Sequence, residues 1–96
     1  MAKDYSTTKL LIQDNINQMN SKMINCDATI VENIASASAL LAVANEKVAI
    51  SQEDVRGYSE EIKQNIELFP KRCSCKESYS IKFKKIVRTL QNNLTT

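Results

Sequence analysis

The stretch AISQEDVRGYSEE, residues 49–61, lies at the midpoint of a 96-residue chain and holds its single glycine. It reads as a turn followed by the start of a helix. Ser51, then Gln52, Glu53 and Asp54, has the S-x-x-[DE] form of a helix N-terminus: the hydroxyl can accept from a free backbone N–H, and the acidic residues suit the positive end of the helix dipole. Residues 48–51 are then the turn. Gly57 falls in the second turn of the new helix, where glycine costs up to about 1 kcal/mol relative to Ala, so a packing or partner reason is expected for it.

Upstream of this turn, apolar or small residues recur at Ile12, Ile16, Met19, Met23, Cys26, Ile30, Ile34, Ala37, Leu41, Ala44 and Val48. The steps of three and four residues trace one stripe of an amphipathic helix, with a longer step near Ile30. They predict a single helix from a cap at Ser6 or Thr7 to about Val48. Downstream, Val55, Tyr58, Ile62, Ile66, Phe69 and Cys73 form a second stripe, and Phe83, Val87, Leu90 and Leu94 keep its phase. Pro70 interrupts it, removing a hydrogen bond at a cost of about 3 kcal/mol inside a helix. LFPKRCSCKES (68–78) is therefore a kink, the reading the preserved phase favours, or a break before a segment starting near Ser78.

The expected fold is all-α: one domain, an antiparallel two-helix hairpin of residues 7–48 and 52–94, on the order of 60 Å long by the rise of 1.5 Å per residue. Residue i would lie level with residue 100 minus i, pairing Ile34 with Ile66, Ile16 with Phe83, and Cys26 with Cys73 or Cys75. Two helices bury one stripe each, which would leave Leu11, Ile24, Val31, Leu40, Val43, Ile50, Leu68, Ile81 and Ile86 partly exposed. A partner is therefore expected, either a second copy or another helical protein, completing a multi-helix bundle.

Composition agrees with an all-α chain. One glycine and one proline cannot supply the turns that an all-β domain needs every 8–12 residues or so. The net charge of +2 conceals an asymmetry: residues 1–69 hold six Lys or Arg against ten Asp or Glu, and residues 70–96 hold seven against Glu77 alone. The basic set Lys82, Lys84, Lys85 and Arg88 surrounds an apolar line in SIKFKKIVRTL (80–90), a pattern that can meet anionic membranes or acidic partners, although a solvated helix face is the plainer reading. With no aromatic stacking set, nucleic acid is not expected as a partner, and neither is a membrane.

Cys26, Cys73 and Cys75 are one ligand short of a structural zinc site, and there is no histidine. Free thiols are the first reading, with one disulfide open to a chain that reaches an oxidising compartment. No histidine, phosphate loop or facing carboxylate pair is present, so neither catalysis nor a cofactor is expected. The stretch MAKDYSTTKLLIQDN has no apolar run long enough for a signal peptide. Cytoplasmic synthesis is expected, with export that uses no cleaved signal left open.

Two patterns resemble the small α-helical partner proteins of LXG toxins in Gram-positive type VII secretion, relatives in shape of the WXG-type hairpins. SQEDVRGYSEEIKQNI (51–66) is similar to that family's turn and second-helix start. FKKIV (83–87) sits where the family has a Phe-x-x-x-Asp element near its C-terminus. Val87 stands at the Asp position, so the element carries over at Phe83 only. The resemblance implies a targeting factor or chaperone that binds the N-terminal helical domain of an LXG-type toxin. Phe83, Ile86, Val87 and Leu90 would form its C-terminal export element, and Leu11, Ile24, Val31, Leu40 and Val43 its partner-facing stripe. The alternative is a self-associating coiled-coil module whose basic C-terminal helix binds nucleic acid or an anionic membrane.

Overall fold

The upstream stripe does not form one helix; it folds back on itself at residues 24–29. The computed structural model describes residues 2–48, 50–73 and 80–95, with side chains over 6–47, 50–73 and 81–93. Four helices run in order: α1 (Ala2–Met23), α2 (Ile30–Val43), α3 (Gln52–Arg72) and α4 (Ser80–Thr95), with a π-helical turn at Ala44–Val48 extending α2. The two-helix hairpin is thus corrected to a four-helix arrangement of 41 × 24 × 17 Å. The first helix starts at Ala2, ahead of Ser6 and Thr7.

The break has a specific backbone cause. Cys26 has φ 52°, in the left-handed region, and around it the Asp27 N–H donates to the Lys22 carbonyl at 3.2 Å and the Cys26 N–H to the Met23 carbonyl at 3.3 Å. That pair of bonds, with a left-handed residue between, is the Schellman ending of a helix. Asp27 then opens α2. Its Oδ1 accepts from the Thr29 N–H at 2.9 Å and the Thr29 hydroxyl at 2.8 Å, and these bonds, together with Lys22, hold its carboxyl below the usual 3.8.

The second boundary is better marked by residue type. Ser51 has extended backbone, and its Oγ accepts from the Asp54 N–H at 3.1 Å, capping α3. Pro70 stays inside the last turn of α3, which ends two residues later before the extended Cys73 (φ −121°, ψ 139°). Helix α4 is a separate element, so its phase is its own: it buries Phe83, Ile86, Leu90 and Asn93, with Val87 half-buried. Of the expected stripe, Phe83 and Leu90 are buried and Val87 packs against the core, with Ile86 and Asn93 buried beside them. Cys75 and Ser78 lie outside the described residues, and Val48 and Leu94 outside the described side chains.

Side-chain bonds between helices give the directions. Lys9 pairs with Asp54 at 3.6 Å and Asn65 donates to Asn20 at 2.9 Å, so α1 and α3 run parallel. Asn33 donates to Asn15 at 2.8 Å across the antiparallel α1–α2 pair. Helix α4 packs on α2 and α3.

Helix α2 touches all three other helices. Its run ASASALLAVA supplies the small side chains that a helix surrounded in this way requires, and it buries Ile30, Val31, Asn33, Ile34, Ala37, Ser38 and Leu41. One core joins Ile12, Ile16, Met19 and Met23 of α1 to this set, to Val55, Ile62, Ile66 and Phe69 of α3, and to Phe83, Ile86 and Leu90 of α4. Phe69 and Phe83 meet edge to face with ring centroids 5.6 Å apart. Cys26 and Cys73 are joined as a disulfide, Cα atoms 5.5 Å apart; the free-thiol reading is corrected for this pair.

Candidate functional site

Because the core is satisfied within the chain, the candidate site is what the four helices leave outside it. Of the residues expected to face a partner, Val31 of α2 is buried in the core. The central position of α2 explains this, since an off-stripe residue on a helix packed on three sides is still inside. Ile50, ahead of α3, and Ile86, on α4, are buried as well. Ile24, 77% exposed, sits alone in the turn after α1.

Two of the remaining three share a groove. Leu40 and Val43 of α2 line an open groove with Thr8 and Asn15 of α1 and with Ser36 and Ala39. Leu11, spaced three and four residues from Thr8 and Asn15, lies on the same face of α1 and is 47% exposed; Val43 is 48% exposed. A polar cluster pins this face at one end. Asn33 donates to Asn15 and accepts from the Lys22 ammonium at 2.8 Å, while the Asn15 side chain donates to the Leu11 carbonyl at 3.0 Å. Buried amide pairs of this kind fix the register of two helices, since a slip would leave them unpaired.

The C-terminal residues distribute differently. Phe83, Ile86 and Leu90 point into the core, while Lys82, Lys84, Lys85 and Arg88 are exposed. Val87 lies in an open groove between α3 and α4 with Ile66, Phe83, Lys84, Arg88 and Gln91. The ring of Phe83 is thus a floor and not a projection. Sequence reasoning did not identify Ile66 as part of this groove, because it reads as an ordinary stripe residue.

A third groove, between α1 and α3, is polar. Lys9, Gln13, Glu53, Asp54, Tyr58 and Glu61 line it, and Gly57 opens onto it. A methyl group added at Gly57 would meet nothing within 4 Å, so the packing reason expected for this glycine is absent. Burial, with the Asp54 and Glu61 carboxylates nearby, pushes the Tyr58 hydroxyl above 10.0, opposed by its hydrogen bond with Gln13.

Among the described residues no cluster of His, Cys, Asp or Glu is arranged to hold a metal ion, and no helix is long and apolar enough to cross a membrane. No protein-family model, curated protein or solved structure matches this chain.

Proposed function

We propose that this chain is a non-enzymatic helical binding protein whose α1–α2 face receives a helix of a partner, most concretely the N-terminal helical domain of an LXG-type toxin that it accompanies to type VII export. The observation that carries the binding role is the open groove lined by Leu40 and Val43 of α2 with Thr8 and Asn15 of α1, with exposed Leu11 on the same helix. A helix laid there would add apolar burial at about 25 cal/mol per Å² without disturbing the core. The polar cluster of Asn15, Gln18, Lys22 and Asn33 offers amides and a cation at one end of the groove to set its register.

The toxin assignment rests on the resemblance over Ser51–Ile66 and at Phe83. The Cys26–Cys73 bond fits it, because disulfides persist mainly outside the reducing cytosol. A self-associating module would place a second copy of the chain on the same face.

The test is co-purification with the N-terminal domain of an LXG-type toxin encoded beside this chain, comparing the wild type with a Leu40→Asp/Val43→Asp variant. The proposal expects a stoichiometric complex that the variant loses, with helicity unchanged by circular dichroism. A complex that survives in the variant removes the α1–α2 face. Dimerisation of the chain with no toxin complex would leave the self-association reading standing instead.

A further inference from the structure

The α3–α4 side of the molecule carries a second groove with a chemistry unlike that of the α1–α2 face. Its floor is apolar, made by Ile66 of α3 with Phe83 and Val87 of α4, and its rim is Lys84, Arg88 and Gln91. Lys84 and Arg88 are one helical turn apart and exposed, and among the described residues neither has an ion-pair partner. Helix α4 has no Asp or Glu at all. On α3, Asn65 bonds to α1 through Asn20 and Tyr58 through Gln13, so the opposite flank of the stripe, Ser59, Lys63 and Ile66, is the one turned toward α4.

We infer that this α3–α4 groove docks an acidic amphipathic helix of another protein, seating an aliphatic side chain over Ile66, Phe83 and Val87 and its carboxylates, one turn apart, on Lys84 and Arg88. Charge complementarity selects this occupant. An apolar floor excludes water from beside the cations, which strengthens each ion pair relative to a fully solvated one. Cations at a spacing of four residues match carboxylates at the same spacing on a helix.

The rival surfaces fit less well. A bilayer needs several apolar side chains projecting beyond the cations, and on α4 the large apolar residues Phe83, Ile86 and Leu90 point inward, leaving Ile81 alone strongly exposed. Single-stranded nucleic acid needs aromatic faces on which bases stack; Phe83 is buried edge-on against Phe69. The inference stands apart from the α1–α2 face, and either can fail without the other.

The experiment is an NMR titration of the oxidised chain with a short synthetic helical peptide carrying leucines flanked by Glu residues one turn apart. A twin peptide with every Glu replaced by Gln serves as the control. Shifts centred on Ile66, Val87 and Gln91 are expected, with affinity at least about tenfold weaker for the Gln twin, for a Lys84→Glu/Arg88→Glu variant and at raised salt. No binding, shifts centred on Leu40 and Val43, or equal affinity for the Gln twin overturns it. Phosphatidylglycerol vesicles are tested in parallel; binding to vesicles without binding to the peptide likewise overturns it and gives the face to a bilayer.

Discussion

At the scale of single residues, Cys26 decides where the chain turns. A left-handed conformation costs an L-residue about 1–2 kcal/mol, and glycine avoids that cost. Here the position is held by Cys26 at φ 52°, and its side chain is tied to Cys73. With the bond removed in both cases, Cys26→Gly should be more stable than Cys26→Ser by about 1 kcal/mol, read as a difference in chemical denaturation midpoints. Asp27, the next residue, has a carboxyl held low by the Thr29 bonds. A depressed folded value contributes stability above the ordinary 3.8, and that stability is lost as pH falls through the folded value. The acid limb of a stability–pH profile should therefore flatten below pH 3.8 in Asp27→Asn; an unchanged acid limb would show that the Thr29 bonds do not hold the charge.

At the scale of elements, what was legible depended on whether the chain uses ordinary punctuation. Helix α3 announces itself through Ser51, Glu53 and Asp54, and the cap geometry agrees. Gly57 in that helix has open space around it, so Gly57→Ala should raise stability by about 0.5–1 kcal/mol through helix propensity alone, measured by thermal unfolding. The α1–α2 break was hidden because Met23, Cys26 and Ile30 keep helical spacing straight through INCDAT (24–29), and the position where a glycine would mark the stop holds a cysteine. The long step near Ile30 and the Asp27–Thr29 pair of turn-forming residues were the available signals. The burial of Ile86 on α4 was hidden for a related reason: a stripe can be extrapolated across a kink but not across an ended helix. Of the residues expected to face a partner, Leu11 and Val43 are exposed as off-stripe positions should be, and Leu40 is half-buried against the core. Val31 is buried on a helix that touches all three others, a long-range fact with no local trace.

At the scale of the whole molecule, the disulfide ties the α1–α2 turn to the end of α3 across a sequence separation of 47 residues. Closing a loop of that length removes denatured-state freedom equivalent to roughly 4 kcal/mol in the chain-entropy account. Cys73→Ser, or reduction of the wild type, should therefore lower stability by about 2–4 kcal/mol, a shift that thermal unfolding with and without dithiothreitol would show. Coincident curves would mean that the bond adds nothing to folding. The same bond changes what kind of object the unfolded chain is. Once cross-linked it is no longer a thread but a ring with two tails, and an aperture wide enough for a single extended strand would stop it at Cys26 from one end and at Cys73 from the other. Seen end-on, the folded bundle presents a profile of 24 × 17 Å. The cross-linked chain can pass a barrier whole only through an opening wider than that by the reach of its side chains, whereas a machine that pulls chains through linearly must first reduce it.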